Sequence, residues 1–133
     1  MPHENVEVVR RMLDAFNRGD VEGVIATFDE GCLLEEPREM PDSPSRGFRG
    51  HDGIREWMAN LREVAGVRFE ARSFTTGGDA VVSELAARGQ GQGSGVPVEW
   101  ATFAAMRMSN GKIARAQAFL SRDEALEAVG LSD

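Results

Sequence analysis

The fold is decided by residues 67–88, which read VRFEARSFTTGGDAVVSELAAR. Apolar and charged side chains alternate over 67–72, and this two-residue period is typical of a half-buried β-strand. The glycine pair and aspartate at 77–79 form a hairpin turn signal. Residues 81–88 then predict a second strand. This stretch therefore predicts an antiparallel hairpin.

The strand pattern continues downstream of the hairpin. A glycine-rich tip at 89–95 leads into a predicted strand at 96–108. The turn Ser109-Asn110-Gly111 then leads into a strand at 112–120. Four strands joined by short turns predict an antiparallel meander. The chain then closes with a short helix over 123–129, with Ser121 as its expected cap.

Upstream of the meander, the apolar period is that of helices. Apolar side chains at steps of three and four predict a first helix between an N-cap at Asn5 and a stop at Gly19. Asp20 is expected to cap a second short helix. A third helix is predicted around Ile54, with His51 or Asp52 at its cap.

Two further segments complete the order of elements. Residues 32–36 predict a short strand, and the proline-rich stretch 37–50 predicts a long loop. The order is then α-α-β-α-β-β-β-β-α. Early helices followed by a late meander predict an α+β fold, with helices packed on one face of a curved sheet. The 133 residues fit a single domain, 1–133.

Composition excludes several classes of function. The net charge is −7 and the basic residues are scattered, so nucleic acid is not expected as a partner. A single cysteine excludes an internal disulfide framework and a multi-cysteine zinc site. No apolar stretch reaches the length of a membrane span. We therefore predict a cytoplasmic protein without a metal or cofactor, and without a membrane partner.

Glu36 is the strongest candidate for acid–base chemistry. It shares a strand face with Leu34, so a buried Leu34 would place Glu36 on the apolar side. An apolar environment disfavours an ionised carboxylate, which suits a general acid or base. The alternative is that Glu35 and Glu36 are both solvated at the loop edge.

Three other polar residues have open alternatives. His51 either takes part in the hydrogen bonds at a helix start or lies at a pocket rim near Glu36. Glu84 and Arg88 form either a surface ion pair or polar groups of a pocket. The alternation does not decide between these, because Ser83 and Leu85 on the opposite face are also compatible with burial.

Several motifs resemble the nuclear transport factor 2-like superfamily over nearly the whole chain. VVRRMLDAFNRGD at 8–20 is similar to its opening helix. Glu35-Glu36-Pro37, RGHDGIREW at 49–57 and NGKI at 110–113 follow in the order of that family. The closest likeness is to the SnoaL-like branch, named for polyketide cyclases. This resemblance implies a cone-shaped, strongly curved, mostly antiparallel sheet around three N-terminal helices, and a homodimer formed through the sheet.

The partial resemblance to ketosteroid isomerases implies roles for three positions. Glu36 stands where that branch has its general base. Met12 stands where it has an oxyanion-hole tyrosine, and Ala104 where it has a protonated aspartic acid. Efficient steroid isomerisation is therefore not expected, because a base without these donors lacks much of the stabilisation of the enolate.

The resemblance also implies a pocket for a small hydrophobic molecule. Its expected ligand-binding residues are Met12, Phe16, Phe28, Leu34, Trp57, Met58, Leu61, Glu84, Arg88, Trp100, Thr102, Ala104 and Met106. The predicted function is a cofactor-independent isomerase or cyclase that uses Glu36 as acid or base. The alternative is a non-catalytic ligand-binding or dimerisation module of the same fold.

Overall fold

A computed structural model describes residues 2–37, 47–64, 66–91 and 94–131. Within these ranges, the helices are α1 (Pro2–Arg18), α2 (Val21–Ile25), α3 (Gly50–Met58), which continues as a π-helical segment (Ala59–Val64), and α4 (Arg122–Ala128). The strands are β1 (Phe28–Glu35), β2 (Phe48–Arg49), β3 (Arg68–Gly77), β4 (Ala80–Gln90), β5 (Pro97–Ser109) and β6 (Lys112–Phe119).

The strands form one six-stranded sheet in the described part of the chain, in the order β2-β1-β6-β5-β4-β3. The predicted meander is confirmed, since β3 to β6 pair antiparallel in succession. β1 lies parallel to β6, with Leu34 beside Ala116. The α+β class and the mostly antiparallel sheet are thus as predicted. Register shifts in β1, β3 and β5 locally bend these strands.

The two faces of the sheet are covered by different helices. The inner face, which includes Leu85, Ala104 and Met106, packs in one apolar cluster with residues of α1, α2 and α3. The outer face packs through Val82 and Ala105 against α4. The expectation that the helices cover one face therefore holds for α1 to α3. The short C-terminal helix lies on the opposite face.

Phe16 and Asn17 attach the end of α1 to the sheet. The Phe16 ring is fully buried, with centroids 5.1 Å from Trp57 and 5.0 Å from Phe69. The Asn17 side chain donates to the carbonyl of Phe69 at 2.7 Å and accepts from its N–H at 2.9 Å. Because β3 is the edge strand, Asn17 satisfies backbone groups that have no strand partner there.

Two of the predicted caps are confirmed. Asp20 accepts a hydrogen bond from the N–H of Gly23 at 2.9 Å, and Ser121 accepts one from the N–H of Glu124 at 3.5 Å. The predicted cap at Asn5 is wrong, because α1 already begins at Pro2, a residue well suited to a first helical position.

The predictions around α3 and β1 also need correction. Neither His51 nor Asp52 caps α3, because this helix starts directly after β2, with Arg49 at the N-cap and no side-chain cap bond. β1 begins at Phe28 and not at Cys32, since it extends along β6. Most of the predicted loop 37–50, including Pro41 and Pro44, lies outside the described residues, as does part of the glycine-rich tip.

In the described part of the chain, the helices are too short or too polar to cross a membrane.

The Asp20 cap provides a test of how α2 begins. Asp20→Ala should lower the free energy of unfolding by about 1 kcal/mol, because it removes the acceptor for the Gly23 N–H. This corresponds to a Tm about 4 °C lower for a domain of this size. Asp20→Asn keeps the acceptor and should remain close to the wild type. A thermal melt in which both variants fall equally would assign the effect to the charge of Asp20 instead of its cap.

Candidate functional site

A cavity lies between the inner face of the sheet and helices α1 and α3, and its volume is about 70 Å³. Most of its lining is apolar. The lining residues are Met12, Leu13, Leu34, Glu35, Glu36, Pro37, Trp57, Leu61, Phe69, Leu85, Trp100, Thr102, Ala104, Met106, Ala116, Gln117 and Ala118.

Many of the residues expected to bind a ligand line this cavity. They are Met12, Leu34, Trp57, Leu61, Trp100, Thr102, Ala104 and Met106. Strand β5 contributes every second residue, namely Trp100, Thr102, Ala104 and Met106, so the cavity lies against its inner face. That these residues contact a ligand remains a prediction.

Three expected apolar residues do not line the cavity. Phe16 lies behind its wall, between Trp57 and Phe69. Phe28 is fully buried in the core at the start of β1. Met58 faces a separate groove beside Gly19. The helical and strand periods identify these residues as buried, but they do not distinguish the core from a cavity wall.

Glu84 and Arg88 lie on the outer face of the sheet. They alternate with Leu85, which lines the cavity, so the pleat turns both away from it. Arg88 forms ion pairs with Glu70 at 3.9 Å and Glu99 at 3.6 Å, and all three side chains are exposed. Both residues therefore lie away from this cavity, but among the described residues Arg88 pairs with Glu70 and Glu99 and not with Glu84.

His51 is not at the rim of the cavity. Its Nε2 atom lies 2.9 Å from the carbonyl oxygen of Phe28, so the ring connects the start of α3 to the start of β1. Glu36 lies at the other end of β1, which explains the separation of these two residues. The hydrogen-bonding alternative for His51 is the one that the structure supports.

The polar groups of the cavity are concentrated where β1 ends. Glu35 and Glu36 line it there, together with Gln117 of the neighbouring β6. Glu36 is half-buried and lies just after the end of β1, so the predicted strand alternation stops short of it. A groove outside this end also includes Glu124 and Glu127 of α4. This groove is therefore rich in carboxylates, and this should disfavour anionic ligands there.

Sequence reasoning did not identify the partner of Glu35. Its Oε1 atom accepts hydrogen bonds from Arg115, at 2.8 Å from Nη2 and 3.3 Å from Nε. The two residues are 80 positions apart and meet because β1 and β6 are parallel neighbours. A period within one strand carries no signal of such a pair.

Cys32 is buried on β1, as its small apolar side chain suggested. Burial raises the pKa of the Cys32 thiol, and the negative charge of Asp29 acts in the same direction. A protonated thiol is a poor nucleophile, so Cys32 has the properties of a packing residue and not of a reactive centre.

The fold and cavity define a cone-shaped α+β domain of the nuclear transport factor 2-like class. The family model described as "SnoaL-like domain" matches residues 9–116. The chain therefore belongs to the SnoaL-like domain family. No curated protein matches it by sequence.

Solved structures share this fold at low sequence identity. A putative polyketide cyclase from Sinorhizobium meliloti is 21% identical with a TM-score of 0.68, covering 84% of this chain and 93% of its own. The epoxide hydrolase/cyclase-like enzyme SalBIII, described in pyran ring formation in the polyether salinomycin, is 22% identical with a TM-score of 0.76, covering 90% and 92%.

A third solved structure has a ketosteroid isomerase-like fold. It is a hypothetical protein from Catenulispora acidiphila in complex with trimethylamine. It is 18% identical with a TM-score of 0.74, and the match covers 94% of this chain and 93% of that one. At these identities, the three likenesses establish the fold alone.

The position of Phe16 behind the cavity wall predicts a large effect on stability. Phe16→Ala should lower the free energy of unfolding by about 3–5 kcal/mol, because it leaves a void between Trp57 and Phe69. Phe16→Leu keeps most of the volume and should cost about 1.5 kcal/mol or less. Urea unfolding measures both. An alanine variant as stable as the leucine variant would contradict this assignment.

Proposed function

We propose that the cavity binds a small hydrophobic carbonyl compound and that Glu36 transfers a proton on it, as in a cofactor-independent isomerisation or cyclisation. The observation that carries this proposal is the half-buried Glu36 carboxylate at one end of a mostly apolar cavity. Such surroundings suit a group that must both remove and return a proton. The apolar walls would hold the hydrocarbon part of the substrate.

The proposed step is the removal of a proton from the carbon next to the carbonyl. Glu36 takes the proton, and the C–H bonding pair becomes the C=C bond of an enolate. The π pair of the carbonyl moves onto its oxygen. In an isomerisation, Glu36 returns the proton to another carbon of the conjugated system. In a cyclisation of the aldol type, the enolate carbon attacks a second carbonyl of the same molecule. The C=O π pair of that carbonyl moves onto its oxygen, the first carbonyl re-forms, and Glu36 gives its proton to the new alkoxide.

The cavity volume limits the size of the ligand. A cavity of about 150 Å³ in another protein holds one benzene molecule. The volume of about 70 Å³ here is smaller, so a ring-sized ligand requires side chains to move. Met12 and Met106 line the cavity, and their unbranched side chains change rotamer easily. A single ring is therefore a better first probe than a polycyclic compound.

The comparisons support the class of chemistry without naming a substrate. Proteins with the same fold include a putative polyketide cyclase and an epoxide hydrolase/cyclase-like enzyme. Both descriptions concern reactions of small organic molecules. Because one fold supports many activities, the proposal for this chain depends on Glu36 and its cavity.

A second candidate function is a non-catalytic binding module of the same fold. The observation in its favour is that Met12 and Ala104, at the positions where the resemblance implies oxyanion donors, both line the cavity and supply no donor side chain. Such a module would bind the same hydrophobic ligands without converting them.

Glu36→Gln separates the two candidates. We expect the wild type to accelerate exchange of the α-protons of cyclohexanone with D₂O, as followed by NMR. The variant should lose at least about 100-fold of this rate, because the amide is not a base. Glu30→Gln changes an exposed glutamate of the same strand and should keep the rate. Binding without exchange in the wild type would favour the binding module.

We also propose a homodimer formed through the outer face of the sheet. Its support is the family resemblance and the position of Ala101, a small exposed residue in the middle of that face, opposite Ala86.

Light scattering tests the dimer. The wild type should have twice the 14.5 kDa mass of the chain. Ala101→Arg should shift the mass towards the monomer, because it adds a bulky charge to the proposed interface. Ala26→Arg, at an exposed position on the other side of the sheet, is the control. A monomeric wild type at high protein concentration would refute the dimer.

A further inference from the structure

Ser83 is a polar residue that the fold does not explain. It lies in the middle of β4 and is fully buried. Its Oγ atom has no hydrogen-bond partner among the described residues. A buried hydroxyl without a partner destabilises a protein, so native structures rarely keep one without a reason. The residues two positions away on the same face, Val81 and Leu85, are apolar.

The register of the sheet connects Ser83 with the wall of the cavity. Ser83 pairs with Ala104, and Ala104 pairs with Ala118. Ala118 follows Gln117, which pairs with Glu35 at the end of β1, and Glu36 is the next residue after that strand. Three strand spacings separate β4 from β1, which is about 14 Å along the sheet.

The two residues between Ser83 and Glu36 leave room for a ligand. Ala104 and Ala118 are both small, and both line the cavity. On a curved sheet, the side chains of the inner face converge. The Glu36 carboxylate lines this apolar space, and the Ser83 hydroxyl lies behind its wall, beside Ala104.

We propose that Ser83 donates a hydrogen bond to the carbonyl oxygen of the substrate whose α-proton Glu36 removes. This inference rests on the proposed function of Glu36. As the C–H pair enters the enolate, negative charge develops on the carbonyl oxygen, and a donor placed there stabilises it. Met12 and Ala104 supply no donor, and Ser83 is the direct cross-strand neighbour of Ala104.

Access to Ser83 requires a local rearrangement. Its side chain is not part of the cavity wall, whereas Leu85 and Ala104 beside it are. Met106 lies in the next row of the same face, opposite Val81. A rotamer change of Met106 or Met12 would extend the cavity towards Ser83. The same change would supply the volume that a ring-sized ligand needs.

The test compares two ligands of similar shape. Cyclohexanone offers a carbonyl oxygen, and methylenecyclohexane replaces that oxygen with a CH₂ group. NMR titration gives the Kd of each for the wild type, Ser83→Ala and Ser83→Cys. We expect the wild type to prefer the ketone by about tenfold, the effect of one buried hydrogen bond.

Ser83→Ala should remove the preference for the ketone. It should raise the Kd of cyclohexanone and leave the Kd of methylenecyclohexane unchanged. Ser83→Cys, a weak donor of similar size, should keep part of it. A thermal melt checks that both variants fold. Ser83→Ala should melt at or above the wild-type temperature, because it removes an unpartnered hydroxyl. Ser73→Ala removes an exposed hydroxyl of the edge strand β3 and should change none of these values.

The rate of α-proton exchange distinguishes failure of this inference from failure of the proposed function. Ser83→Ala should slow exchange of cyclohexanone at saturation by about tenfold or more. Glu36→Gln should abolish exchange and keep the preference for the ketone. If exchange depends on Glu36 but Ser83→Ala keeps both rate and preference, the role of Ser83 is refuted and the proposed function stands.

Two other outcomes are also decisive. If the preference depends on Ser83 while Glu36→Gln leaves the exchange unchanged, Ser83 is a ligand anchor and the role of Glu36 as a base is refuted. A wild type with no preference for the ketone overturns the inference about Ser83.

Discussion

The attachment of α1 to the edge of the sheet is the constraint on which the cavity depends. Phe16 contacts Trp57 and Phe69, and Asn17 pairs with both backbone groups of Phe69. An apolar contact alone would allow the helix to slide. The two directional hydrogen bonds define its position along β3. With the helix held there, Met12 and Leu13, one turn earlier, form one wall of the cavity.

The parallel pairing of β1 with β6 places the carboxylates of the cavity at one of its ends. It brings Glu36 to the end of an apolar inner face and gives its neighbour Glu35 an arginine partner from a distant part of the chain. The glutamates of this region lie in different surroundings. Glu36 lines the cavity, whereas Glu84 points to the outer face. Whether a glutamate of the sheet region can reach the cavity therefore depends mainly on the face on which it lies.

Membership of the SnoaL-like family defines the scaffold but leaves the reaction open. Proteins about one-fifth identical share the same fold over most of their length, and one fold supports many activities. Here the cavity has a carboxylate without the donors that the isomerase resemblance implies. Ser83, beside Ala104 on the inner face, is a buried hydroxyl without a hydrogen-bond partner among the described residues.

Local sequence patterns were enough to predict the class of fold, most elements, and the caps at Asp20 and Ser121. These are local properties, since periods of 2 and 3.6 residues and short-range hydrogen bonds act within a few positions. Three features follow from tertiary contacts alone: which face of β4 is inner, where β1 pairs, and the hydrogen bond between His51 and the carbonyl of Phe28. The tertiary structure alone distinguished the buried core at Phe16 and Phe28 from the cavity wall at Trp57. The physical reason is that burial results from contacts between segments far apart in the chain, which no local period encodes.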